Sequence, residues 1–186
     1  NKMKISVKES AIIVISSDAT PREHFAAEEL RKYIEKIVGM KLSIVDDSHN
    51  FSRQRFIIGG PARNMAASAL INEADFNKRV PGPEGFMLQS FGEDKILLAG
   101  NEGNCERGTV YAVYEFLERY LGCSLCAYSH PDVAAGEWVE RMEAIELGEV
   151  SYTKAWADRP FRGACVQYGD AVGCSDRELN LVFFEW

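Results

Sequence analysis

The stretch TPREHFAAEELRKYIEKIVG, residues 20–39, constrains this chain most, because it specifies both ends of a helix and the face that helix must bury. Thr20 is placed as N-cap, Pro21 as the first helical residue, Glu23 three residues after the cap, and Gly39 as the stop. Ala26, Leu30, Tyr33, Ile34, Ile37 and Val38 recur at spacings of three and four, so one stripe packs on a sheet. Glu28, Glu29, Arg31, Lys32 and Glu35 face elsewhere. The sheet is supplied by flanking apolar runs: strands are expected over Met3–Lys8 and Ala11–Ser16 before the helix, and within KLSIVD and RFIIGG after it.

The pattern repeats in different form further along. PARNMAASALI reads as a helix opened by Pro61. A strand over Glu84–Phe91, a Gly92-Glu93-Asp94 turn and a strand over Lys95–Ala99 make a hairpin. The next helix carries Val110, Val113, Tyr114, Leu117, Tyr120 and Leu121 on one face and stops at Gly122. CSLCAY returns to extended structure, and another strand is expected near Met142–Leu147. Beyond it a new unit opens, extended over Phe161–Tyr168 and helical from Ser175. Its Leu179, Val182, Phe183 and Trp186 form an apolar side with no sequence left to cover it. The reading is one α+β domain over residues 1–150, a junction over 151–160, and over 161–186 a truncated segment of another domain.

Composition removes several function classes. A chain of 186 residues holds one domain with a real core. A net charge of −7, with no basic cluster interleaved with aromatics, opposes nucleic acid as a partner. No apolar run reaches the roughly 20 residues that cross a bilayer. The chain begins at Asn1, so its first residues say nothing about compartment. Of the cysteines Cys105, Cys123, Cys126, Cys165 and Cys174, one pair has CxxC spacing, but His24, His49 and His130 are scattered. Buried thiols are expected rather than zinc. His24 and Glu28, four apart, read as an exposed helix pair, and Asp46 and Asp47 as solvated turn formers. No metal and no cofactor is assigned.

The turn after the hairpin imitates a phosphate cradle: Gly103, four residues, Gly108, Thr109. Thr109 stands where the P-loop needs its lysine, and Glu102 and Glu106 bring negative charge to the approach. The expected role is a strand-to-helix connection with glycines at tight backbone positions. No nucleophile elbow GxSxG is present, so a stand-alone hydrolase has no visible machinery.

GPEGFMLQSFGEDKILLAGNEGNCERGTVYAVYEFLERYLGCSLCAY, followed by RPFRGACVQYG, resembles the N-terminal accessory domain of multidomain glycoside hydrolases. The nearest group is the DUF4838 proteins, with the accessory domains of α-glucuronidases and β-N-acetylhexosaminidases as more distant relatives. The resemblance covers most of the chain, most closely Gly85–Tyr128 and Pro160–Gly163. It implies a two-layer α+β sandwich, a mixed sheet with helices mainly on one face, similar to domain 2 of β-hexosaminidases and zincin-like in shape. No HExxH is present, so protease chemistry is not implied. The segment from Phe161 would then begin a catalytic (β/α)8 barrel, the partner of this domain in the parent chain, through which carbohydrate would be bound.

On this reading the chain is a non-catalytic accessory domain of a bacterial glycoside hydrolase, secreted or periplasmic by resemblance. The carboxylates that cleave the sugar bond lie beyond Trp186, so no catalytic residue is assigned. Gln167, Tyr168 and Asp170, at the end of the first barrel strand, are the candidate substrate contacts, and Trp156 and Phe161 the candidate interdomain aromatics. The alternative is a carbohydrate-binding module that stacks sugars on exposed aromatics, with Trp138, Tyr152, Trp156 and Phe161 as candidates.

Overall fold

The computed structural model describes residues 3–6, 11–49, 53–82, 84–101, 107–125 and 137–155. Chain order gives β1 (Met3–Ser6), β2 (Ile12–Ile15), α1 (Pro21–Val38), β3 (Ser43–Asp46), β4 (Arg55–Ile58), α2 (Met65–Ser68) and α3 (Glu73–Arg79). There follow β5 (Phe86–Phe91), β6 (Lys95–Gly100), α4 (Gly108–Leu121), β7 (Ser124–Leu125), β8 (Glu137–Trp138), β9 (Ala144–Leu147) and β10 (Ser151–Lys154). Six strands form one mixed sheet in the order β10-β5-β6-β4-β2-β3. β3, β2, β4 and β6 run parallel, whereas β5 is antiparallel to β6 and β10 to β5. Two antiparallel ribbons, β1 with β9 and β7 with β8, stand beside it.

The central strands show why a parallel sheet must be covered twice. All four residues of β2 are buried, with no polar alternation. Ile13, Ile15, Phe56, Ile58, Phe86, Leu88, Ile96 and Leu98 face α1 and α4. Ile12, Val14, Ile57, Met87, Leu97 and Ala99 face the short α2 and α3, through Ala67, Phe76 and the following Val80. The result is an α+β sandwich with its two long helices on one face.

α1 forms as its sequence requires. The Glu23 amide donates to Thr20 Oγ1 at 3.2 Å and the Thr20 amide to Glu23 Oε2 at 2.7 Å, closing a capping box, and Gly39 ends the helix at φ 73°. α4 departs from a single stripe. Phe116 and Ala112 are as fully buried as Val113 and Leu117, because this helix is pressed on the sheet along one side and on α1 along another. The Phe116 ring meets Phe56 edge-on at 5.5 Å and stacks on Tyr120 at 5.7 Å.

Three local expectations change. The helix expected from Pro61 begins at Met65 instead, because the Asn64 side chain accepts from the Ala66 and Ala67 amides and residues 61–63 form a turn. α3, capped by Asn72, is an element the apolar pattern did not announce. The first four residues of the expected junction, Ser151–Lys154, are the edge strand β10, paired with β5. The expected barrel segment 161–186 lies outside the described residues.

Candidate functional site

Of the turn that imitates a phosphate cradle, Gly108 and Thr109 are described and make a packing contact, while residues 102–106 lie outside the described residues. A Cβ on Gly100 would lie 2.0 Å from the Gly108 carbonyl carbon and 2.1 Å from the Thr109 nitrogen. One on Gly108 would lie 2.5 Å from the Gly85 carbonyl oxygen. The Thr109 hydroxyl, 2% exposed, accepts from the Gly100 amide at 3.1 Å. The first turn of α4 is therefore seated on the end of β6, where Gly100 and Gly108 admit a backbone-to-backbone approach.

In an open α/β sheet a ligand binds beyond the carboxyl ends of the parallel strands, where the strand order reverses. Here that point lies between β2 and β4, since β2 connects outward through α1 to β3 while β4 leads toward β6. A polar cluster occupies it. Asp47, just after β3, is buried rather than solvated: Oδ1 accepts from the Ser17 amide at 2.9 Å and Oδ2 from the Met65 amide at 2.7 Å. The Ser16 hydroxyl donates to the Arg63 carbonyl at 3.0 Å and accepts from the Asp18 amide at 3.1 Å. Asn64, fully buried, donates to the Ile58 carbonyl at 2.9 Å. Arg63 Nη1 donates to Glu23 Oε2 at 3.2 Å. The loops after β2, β3 and β4 are thus tied to each other by the side chains that would otherwise meet a ligand.

Of the expected solvated aspartates only Asp46 behaves so. It is held below the usual carboxylate range by the Ser48 hydroxyl and amide that bond it, with His49 adding positive charge when protonated. Glu28 pairs with Arg31 rather than with His24. Cys123 is buried in the main core.

A cavity of about 270 Å³ opens beside the β5–β6 turn, lined by Met3, Ser90, Glu93, Lys95, Ile96 and Glu149 among others. Glu93 and Glu149 are both exposed. Lys95 is paired with Asp94 at 3.1 Å.

The aromatic candidates separate. Tyr152, on β10, is half-buried against Phe86 at 6.0 Å, and the Arg119 guanidinium lies 4.0 Å from its ring centre, so its ring is engaged within the domain. Trp138 is 58% exposed. Trp156, Phe161, Gln167, Tyr168 and Asp170 lie outside the described residues. The capping-box role expected of Glu23 is present, but its tie to Arg63 was not expected, Asp47 was expected in solvent, and the buried Asn64 was missed, though Asn64 before a short helix is a cap signal.

The family model described as "Glycosyl hydrolase family 67 N-terminus" matches residues 2–116, more than half of the chain. The chain belongs to this family. The glycosyl hydrolase family 67 N-terminus match takes in β1 through most of α4, so both long helices and the parallel strands fall within or largely within it. A solved family GH115 4-O-methyl-α-glucuronidase with specificity for decorated arabinogalactans shares the fold, with a TM-score of 0.54 and 17% identity over 82% of this chain. The match covers 18% of that enzyme, so the chain spans about a fifth of its length. No curated protein sequence matches.

Proposed function

We propose that this glycosyl hydrolase family 67 N-terminal domain is a non-catalytic accessory domain, standing beside a (β/α)8 catalytic domain in its parent chain. The observation that carries this reading is the state of the switch point: Asp47 bridges the Ser17 and Met65 amides there, where a catalytic α/β domain would present groups to substrate. The parent would degrade glycan. Glycans bearing glucuronic acid are the favoured class, by likeness to the GH115 enzyme, and the DUF4838-type group is the favoured branch. A secreted or periplasmic parent is part of the same proposal, as is the start of the barrel in the segment 161–186, with Gln167, Tyr168 and Asp170 as substrate contacts and Trp156 and Phe161 at the domain junction.

A second reading, a carbohydrate-binding module, is favoured by Trp138, whose exposed ring offers a stacking face. Calorimetric titration of the 186-residue chain with glucuronoyl oligosaccharides separates the two. The accessory reading expects no saturable heat; saturable binding lost in Trp138→Ala establishes the module instead.

A further inference from the structure

We propose that the exposed surface of α2 and of the turn before it, centred on Met65, is where the segment Phe161–Trp186 of this chain docks. The inference deepens the accessory-domain reading and rests on it for what that segment begins. The strand register fixes where the chain leaves the sheet. Lys154, the last residue of β10, stands opposite Phe86, which in turn stands opposite Gly100, the last residue of β6. Because β6 is one of the parallel strands, the chain departs at their carboxyl ends, on the rim that Asp47 and Asn64 occupy. From Lys154 to Phe161 it can reach roughly 25 Å at full extension. β10, β5, β6 and β4 are successive neighbours, so the end of β4 lies only about 15 Å along that rim. The turn and α2 that follow β4 are within reach.

The surface found there is apolar and already rigid. Met65 is 65% exposed, the most exposed large hydrophobic side chain among the described residues. Ala62, Ser68 and Ala69 around it are exposed and uncharged, and Arg63, the one charged residue between Pro61 and Ile71, is paired with Glu23. The Met65 amide is held by Asp47, and the buried Asn64 side chain both caps α2 and donates to the Ile58 carbonyl. Little ordering of this surface therefore opposes docking.

Trp138 and Met142, the other exposed large hydrophobics among the described residues, stand at the wrong end. The Met142 amide donates to the Ile37 carbonyl at 2.9 Å, in the last turn of α1, and Trp138 pairs with Ser124 just beyond the end of α4. α1 starts at the carboxyl ends of the parallel strands, and its 18 residues carry the chain about 27 Å away from them. To reach Trp138 or Met142, the linker would have to run back down the domain almost fully extended. The occupant is apolar in its turn, with Phe161 at its start and Leu179, Val182, Phe183 and Trp186 further on.

Nuclear Overhauser contacts of the methionine methyls in the 186-residue chain test the proposal. The Met65 methyl is expected to show contacts to protons of residues 161–186, and the Met142 methyl none. Met65→Asp should abolish the contacts between that segment and Ala62 or Ala69, while the buried Met87 methyl keeps its shift and so reports an intact fold. A Met65 methyl that meets no proton of residues 161–186 overturns the proposal, as do contacts of the segment with Trp138 or Met142 instead. Contacts that grow with protein concentration would assign the surface to a second copy and overturn it too, as would contacts that survive Met65→Asp. Glycoside turnover by the chain would sink the accessory-domain reading without altering these contacts, so the two failures are distinguishable.

Discussion

Gly100 and Gly108 meet backbone against backbone, so that a Cβ on Gly100 would sit 2.0 Å from the carbonyl carbon of Gly108. The contact accounts for Gly108 and Thr109, two of the residues by which the sequence imitates a nucleotide loop. Two elements approach more closely than any side chain allows, and the Thr109 hydroxyl seals the contact by accepting the Gly100 amide.

Gly100→Ala should therefore cost at least about 3 kcal/mol, the upper end for overpacking a well-filled interior, because the three nearest atoms in its way are all backbone. Gly148→Ala is the control, since nothing lies within 4 Å of a Cβ there. Denaturant unfolding of both checks this; equal midpoints would mean that α4 is not seated on β6.

Phe116 and Leu117 distinguish a helix buried on two sides from one buried along a single stripe. Both are fully buried. Leu117→Ala should lose about 2 to 5 kcal/mol and Phe116→Ala about 3 to 5 kcal/mol. If Phe116→Ala changes the unfolding midpoint little while Leu117→Ala lowers it strongly, α4 packs along one stripe only.

Asp47 holds the loops after β2 and β4 together through two amides. Asp47→Ala leaves both amides without that acceptor and should cost about 2 to 4 kcal/mol, taking a hydrogen bond to a charged group at about 1.5 to 3 kcal/mol with partial replacement by solvent. Asp47→Asn keeps one acceptor and should fall between. Hydrogen exchange at Ser17 and Met65 should rise in step with the loss. Unchanged exchange in Asp47→Ala would show that the bridge holds neither loop.

Burial and the neighbouring Glu115 push the Glu118 carboxyl above its ordinary value. The folded state then holds this proton more tightly than the unfolded chain does. Its contribution is absent below the unfolded pKa and becomes destabilising as pH rises through the folded one. Because the side chain is largely solvated, Glu118→Gln should gain only a few tenths of a kcal/mol at neutral pH, within the usual range for surface changes. The gain should vanish in acid, as thermal unfolding across pH will show; a gain independent of pH would assign the effect to packing.

The legible parts of this fold are those whose signals are local. Thr20, Glu23 and Gly39 announce α1 because a cap is written in adjacent residues, and the β5–β6 hairpin is announced by Gly92-Glu93-Asp94. β10 was missed because four residues with alternating exposure, Ser151–Lys154, carry too little apolar pattern to separate an edge strand from a linker. The polar cluster was missed for a different reason. Asp47 and Asp46 are adjacent and chemically identical in sequence, and only the partners brought by residues 17 and 65 turn one inward. Phe116 was missed because burial on a second side depends on where α1 lies.

The central claim is that this domain assists a catalytic domain and performs no hydrolysis itself. The most direct test is to assay the purified 186-residue chain against aryl glycosides that include glucuronides and N-acetylhexosaminides. The account predicts no turnover above buffer. Release of the aryl group that survives extensive purification, and that falls when Glu93 or Glu149 beside the 270 Å³ cavity is replaced by Gln, would contradict it.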